Sequence, residues 1–314
     1  YDASRILNND IHDIKATGSQ TDVGSSDNTI SYKIEDNVKD DYEVEEELGQ
    51  LTVTKNEKKV TIKASDDSKT YDGTPLTSDS FTVLNGLDTT IFTVTADSHG
   101  SITDAGYTNH TIDNVKISKD GKNVTDWFTN INTESGTLTV QPRPVTITTG
   151  SASKEFDGMP LTNKEITVGD MGFVDGEATV RTTGTITEVG STENTYEIVK
   201  GEGYKDGNYA ITNNLGTLTI KDNEKTEITI TAKSAAKTYD GTPLTAGYEV
   251  TGLNSQLFTI EVKTTGSITD VGTTDHVIDS YTIRNNDGND VTKSFKTIHK
   301  VNGTLTINKR QVTL

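Results

Sequence analysis

The 314-residue chain contains no cysteine. Disulfide staples and thiolate metal sites are therefore excluded, although this alone assigns no compartment. Hydrophobic residues are scarce at 31%, and there is one tryptophan. Such a composition predicts several small cores rather than one large one. No apolar run approaches the roughly 18 residues that a membrane helix requires. Residues 1–10 show no basic and apolar regions of an export signal, so any such signal is expected outside this stretch. Positive charge is also short, with 29 Lys and Arg against 47 Asp and Glu, a net charge of −18. Nucleic acid and anionic lipid both need clustered cations, so neither is an expected partner. Acidity favours solubility and repulsion between neighbouring molecules.

What the chain does have is repetition. Lys-x-Tyr/Phe-Asp-Gly-x-Pro-Leu occurs at residues 69–76, 154–161 and 237–244. It contributes Tyr71, Asp72, Gly73 and Pro75, then Phe156, Asp157, Gly158 and Pro160, then Tyr239, Asp240, Gly241 and Pro243. A second motif, Gly-Ser/Thr-x-Thr-Asp/Glu-x-Gly, starts at Gly18, Gly100, Gly184 and Gly266 and carries Asp22, Asp104, Glu188 and Asp270. Its copies are spaced by 82, 84 and 82 residues. A third, Gly-x-Leu-Thr-Val/Ile, starts at Gly49, Gly136, Gly216 and Gly303. An aromatic precedes it each time: Tyr42, Phe128, Tyr209 and Phe295, each read as an anchor into a small core. The order and period divide the chain into an incomplete module, 1–56, and three full modules, 57–142, 143–223 and 224–309. Tyr1-Asp2 lies too close to Gly18 to be a first motif and is set aside as chance. Residues 310–314 match the opening of module 143–223 and read as the start of a further copy, so the chain is expected to be a fragment of a longer array.

Apolar residues alternate with threonine in Val60-Thr61-Ile62, Leu138-Thr139-Val140 and Val145-Thr146-Ile147, the period of strands with one buried face. Gly, Asn and Asp clusters supply the turns. The prediction is an all-β tandem array of small modules, each β-grasp-like or an Ig-like sandwich. Modules of this size bury little surface alone, so contacts across their boundaries are expected to add stability. Short proline-containing junctions should be stiff. Four modules in line would form a monomeric elongated rod on the order of 120–160 Å long.

These three ordered motifs resemble the MBG-like, "YDG" class of tandem repeats in large wall-anchored adhesins of Gram-positive Firmicutes. The resemblance covers nearly the whole chain and departs from the pattern in module 1–56, which lacks the first motif. It implies an extracellular, cell-wall-anchored protein held through other regions, and a stalk or adhesive role. It supplies no ligand.

Catalytic and metal sites are not expected, nor is a cofactor. Of the five histidines, His110 and His276 occupy one repeat position that holds Asn28 and Asn194 elsewhere, which reads as a polar surface or turn site. No nucleophile-elbow, zinc-protease or phosphate-loop pattern occurs. Acidic clusters at Asp40-Asp41, Asp66-Asp67 and residues 286–290 do not recur from copy to copy and read as solvated turns rather than calcium loops. The recurring Lys69, Lys154 and Lys237 could pair with the second-motif acids; a Lys-Asn isopeptide bond is disfavoured because no Asn recurs in register. Trp127 stands where other copies have Asp41, Asn208 and Ser294. It is the one candidate ligand-binding aromatic, for stacking on a sugar or partner, with packing against a neighbouring copy as the alternative.

Two functions remain open at this point. One is a non-enzymatic stalk projecting an adhesive region. The other is a multivalent adhesin, each module binding glycan or host protein weakly. The surplus strand at 310–314 and the missing first strand of module 1–56 also predict head-to-tail strand addition between molecules.

Overall fold

A computed structural model of the chain describes residues 4–314. The Tyr1-Asp2 pair lies outside the described residues. The chain divides into two compact units, Tyr1–Pro142 and Arg143–Leu314.

In the first unit, module 1–56 contributes two antiparallel pairs of non-consecutive strands. Strand β1 (Ile11–Ala16) runs antiparallel to β3 (Ile30–Ile34), and β2 (Gly24–Asn28) antiparallel to β4 (Gly49–Val53). Module 57–142 is complete. It runs β5 (Val60–Ala64), β6 (Asp67–Thr70), β7 (Phe81–Asn85), β8 (Thr93–His99), β9 (Gly106–Lys119), β10 (Lys122–Asn123), β11 (Ile131–Glu134) and β12 (Gly136–Gln141). One sheet is β11-β5-β7; the other is β10-β9-β12-β6, with β8 also on β9. Each sheet contains one parallel pair, β5 with β11 and β6 with β12. The long β9 serves three partners, β12 along its first half, β8 along its second and the short β10 at its end.

The module is thus a two-sheet sandwich, the second of the two forms expected from the sequence. Its core is the set of alternate positions predicted by period two: Val60, Ile62 and Ala64 from β5, with Ile112, Ile117, Val124 and Phe128. Gly136, Leu138 and Val140 of the third motif point inward and are buried, while Thr137 and Thr139 between them are only half-buried.

The second unit repeats the plan twice. Arg143–Thr149 pairs in parallel with Tyr209–Asn214, and Asn223–Ala232 with Phe295–Val301. Ala152–Glu155 pairs in parallel with Thr217–Lys221, and Ala235–Thr238 with Gly303–Asn308. The anchors Phe128, Tyr209 and Phe295 each follow a single 3-10 turn and are buried. Residues 309–314 belong to no strand.

Module 1–56 differs from the others in one stretch. Residues 42–48, the counterparts of β11, form no strand. A parallel strand needs its partner, and among the described residues module 1–56 has none equivalent to β5.

Candidate functional site

The first motif folds the same way in all three copies. Its glycine sits at a left-handed φ, 80° at Gly73, 79° at Gly158 and 80° at Gly241, which an L side chain rarely adopts. That turn brings the motif's aspartate back onto its lysine. Lys69 Nζ donates to Asp72 Oδ1 at 2.7 Å and to the Thr74 carbonyl at 2.6 Å. Lys154 Nζ donates to Asp157 Oδ1 and the Met159 carbonyl, both at 2.6 Å. Lys237 Nζ donates to Asp240 Oδ1 at 2.8 Å and the Thr242 carbonyl at 2.7 Å. The aspartate in turn accepts the backbone N–H two residues on, at 2.9 Å in every copy. The leucine that ends the motif bridges to the isoleucine of the second motif: Leu76 with Ile102, Leu161 with Ile186, Leu244 with Ile268.

The carboxylate that each lysine meets is therefore its own motif's, not the second-motif acid. The lysine hydrogen bond, supported by the Thr74 hydroxyl and N–H, holds the Asp72 carboxyl far below the usual carboxylate range. The same contacts from Lys237 and Thr242 do so for Asp240. A folded-state value depressed below 3.8 means the clasp's stabilisation is complete above that pH and declines as pH falls through the folded value. We expect carboxyl titrations by NMR to place both aspartates below 3.8, the ordinary value, and Lys69→Ala to return Asp72 toward it. An ordinary midpoint for Asp72 in the native chain would show that the clasp is not formed.

What the clasp positions is the motif's aromatic. Phe156 is 1% exposed, yet its ring lies in the core of the following module. It stands 5.7 Å from Phe258 and 5.6 Å from Phe295, which are 5.2 Å from each other. Ile228, Ile230 and Ile283 complete that core, and Leu161 and Ile186 pack on it. Asn223, at the junction, donates from Nδ2 to the Phe156 carbonyl at 2.7 Å. A side chain at Gly158 would meet the Phe258 ring 2.5 Å away, so glycine also makes room for the joint. Tyr71 is 3% exposed, whereas Tyr239, last of the three, is 39% exposed.

The second-motif acids take different roles. Glu188 Oε1 accepts from Asn289 Nδ2 of the next module at 3.0 Å. Asp22 pairs with Lys119 of module 57–142 at 3.0 Å. Asp104 is half-buried and Asp270 exposed. Trp127 is half-buried against the core of its own module, with Lys119 and Lys122 ammonium groups 5.7 and 6.0 Å from the ring centre. Beside it, an open concavity of about 480 Å³ is lined by Asn123, Thr125, Asp126, Phe128 and Ile131. Phe128 and Ile131 are the counterparts of Phe295 and Ile298, both in the core that Phe156 enters.

His110 and His276 correct the expectation of a surface position. Both are fully enclosed, and each Nδ1–H donates to a backbone carbonyl just beyond the module's first strand, Ser65 at 2.7 Å and Lys233 at 2.8 Å. Asn194 fills the same place and donates to the carbonyls of Gly150 and Asn163. What the position requires is a buried donor, which His and Asn both supply. We expect His276→Asn to be nearly neutral and His276→Ala to cost about 1–3 kcal/mol in denaturant unfolding, because it strands the Lys233 carbonyl. Equal losses from both would remove the donor role.

Two of the three acidic clusters contribute caps. Asp66 Oδ1 accepts the Thr137 N–H at 2.8 Å, and Asp290 Oδ1 the Thr292 N–H at 3.0 Å. Among the described residues, no three His, Asp or Glu side chains stand together as metal ligands.

No family model and no curated protein matches the chain. Solved structures similar to it include Drosophila N-cadherin EC1-3, at 10% identity and TM-score 0.25, covering 78% of this chain and 98% of that one. The I9-I11 tandem of titin is similar at 12% identity and TM-score 0.23, covering 81% and 98%. Protocadherin Gamma B2 extracellular cadherin domains 1-5 is similar at 12% identity and TM-score 0.27, covering 93% of this chain and 66% of that one. At these TM-scores the likenesses carry no statement about activity, partner or location.

Proposed function

We propose that the chain is a run of non-enzymatic structural modules from a cell-wall surface protein of a Gram-positive bacterium. On this reading the modules are extracellular, anchored through other regions, and hold an adhesive region away from the cell. The observation that carries it is the interlocked joint between modules 143–223 and 224–309, where a copy of the first motif is consumed in fixing one module to the next. Lys154 and Asp157 shape the loop, Phe156 enters the following core, and Leu161 and Ile186 pack on it.

The strand pairing also suits tension. In each complete module the last strand lies parallel to an early one, as Gly136–Gln141 does to Asp67–Thr70. Pulling on the two ends loads such a ladder lengthwise, so its evenly spaced bonds must shear together rather than open one by one. Single-molecule pulling of the whole chain should give discrete high-force ruptures for the complete modules. A plateau at the force that unzips hairpins would contradict the stalk role. Binding of the chain to a glycan array would instead favour the multivalent adhesin.

A further inference from the structure

We propose that the strand Ile166–Asp170 is a docking edge of module 143–223, which an extended, basic peptide segment of another protein joins as an added strand. The contact does not rest on the stalk reading and is the same whether the modules space or bind.

Each complete module has a strand of this kind at the rim of a sheet: β7, Ile166–Asp170 and Tyr248–Thr251, each paired on one side only, to the module's first strand. Such an edge is a row of unpaired N–H and C=O groups, and folded proteins guard it with bulges, charges, proline or brevity. Two of the three are guarded. The pairing of β7 is interrupted by a bulge between Thr61 and Ile62. Tyr248–Thr251 is four residues long and carries Glu249, whose carboxylate lies 4.0 Å from Lys233. Ile166–Asp170 keeps an unbroken register with residues 145–149 and contains no lysine and no proline.

The ladder shows which groups this edge offers. Gly150 N–H donates to the Glu165 carbonyl at 2.9 Å, and Met171 N–H to the Pro144 carbonyl at 3.3 Å. Bonded positions alternate along an antiparallel pair, so Thr167 and Gly169 also face their neighbours Thr148 and Thr146. The N–H and C=O of Ile166, Val168 and Asp170 therefore point away from the sheet. Side chains are uncovered there too. Val168 lies opposite the fully buried Ile147, yet is 38% exposed, and Met171 just beyond is 47% exposed. Val83 and Val250, opposite Ile62 and Ile230, pack against their modules' cores instead.

The edge is held at both ends. Asn163 Oδ1 accepts the Glu165 N–H at 2.9 Å, its Nδ2 donates to the Ser151 carbonyl at 3.1 Å, and the buried Asn194 donates to its carbonyl at 3.0 Å. Arg143 donates to the carbonyls of Met171 and Gly172, both at 2.7 Å. A held edge loses little freedom when a partner docks. Charge selects the partner. Glu165, Asp170 and Asp175 are exposed around the strand, against Lys164 at its start and Arg143 at its end, and the whole chain carries −18. That balance opposes a second copy and favours lysine or arginine on the incoming segment. Main-chain bonds supply affinity, and an apolar residue set beside Val168 supplies specificity.

The probe is a short synthetic peptide of alternating valine and lysine, titrated into the whole chain and followed by amide hydrogen exchange. Bound peptide should slow exchange at Ile166, Val168 and Asp170 several-fold, while Thr167 and Gly169, already paired, change little. Val168→Pro removes an N–H that points away from the sheet, so thermal unfolding should be nearly unchanged and binding weaker by about tenfold or more. Replacing the peptide's valines with proline keeps its charge and abolishes its strand, and should weaken binding to the unsubstituted chain in the same way. No slowing at any peptide concentration, equal slowing at β7 and Tyr248–Thr251, or equal binding of the proline peptide or by Val168→Pro would each overturn the proposal. So would slowing at this edge that grows with protein concentration when no peptide is present, which would assign the edge to a second copy.

Discussion

Phe156→Ala destabilises module 224–309, although residue 156 lies in the repeat before it. The expected loss is about 3–5 kcal/mol, the range for truncating a buried phenylalanine where the surroundings cannot collapse. The surroundings here are strands of a different module, with Phe258 and Phe295 fixed on their own backbones 5.7 and 5.6 Å away. Removing the ring leaves a void in their core and forfeits two edge-on or tilted aromatic contacts. The clasp of Lys154 and Asp157 is untouched, so the loop itself should persist. Tyr239→Ala is the internal control: the same motif position, but 39% exposed, with an expected loss below about 1 kcal/mol. Denaturant unfolding of the whole chain, read by hydrogen exchange in Asn223–Ala232 and Phe295–Val301, distinguishes the two. Equal effects would mean that Phe156 contributes no more to the joint than an exposed residue.

Gly136→Ala and Gly49→Ala should change stability in opposite directions. Both glycines open the third motif. At Gly136 an added Cβ would sit 2.5 Å from the carbonyl oxygens of Ala64 and Ser65. Those are backbone atoms at the end of the strand Val60–Ala64 and cannot swing aside, so the cost should reach about 1–3 kcal/mol or more. Gly216 and Gly303 press in the same way on Gly150 and on Ala232 and Lys233. At Gly49 nothing lies within 4 Å. There alanine should be neutral or stabilising by about 0.4–1 kcal/mol, because it restricts the unfolded chain without meeting anything. Thermal unfolding of the two single variants settles the sign. A matching loss at Gly49 would show that the motif needs glycine for backbone freedom rather than for close approach.

The contrast between these two glycines shows which features could be read from sequence. Threonine-spaced aliphatics such as Leu138-Thr139-Val140 predict a strand with one face buried, because that pattern is local and its period is two. The Asp-Gly-x-Pro turn is local as well, and Gly73, Gly158 and Gly241 all take the left-handed φ it implies. The anchors Phe128, Tyr209 and Phe295 recur and are buried.

Contacts between distant segments were less legible. Recurrence marks Phe156 as important but does not say whose core it enters, since the ring and its partners Phe258 and Phe295 are separated by more than a full repeat. Alternation of His with Asn at residues 110, 194 and 276 suggests an exposed polar site. The same alternation also fits a buried donor, and the deciding carbonyls, at Ser65, Gly150 and Lys233, lie some 43–45 residues earlier. The lysine clasp had a nearer signal, an aspartate three residues on in every copy. The second-motif acids drew the pairing instead because they recur equally well, and only the turn geometry separates the two. Trp127 gave no repeat signal, since no other copy carries an aromatic there.

If successive modules share a core, damage must cross the joint in both directions. Ile283 belongs to module 224–309 by sequence and is fully buried in the core that Phe156 enters. Hydrogen exchange of the whole chain carrying Ile283→Ala measures the consequence. Shared packing predicts faster exchange in residues 156–161 and in Ala152–Glu155 as well as in the strands around residue 283. Faster exchange confined to residues 223–308, with the loop of Phe156 as protected as before, would show that the modules fold as strangers.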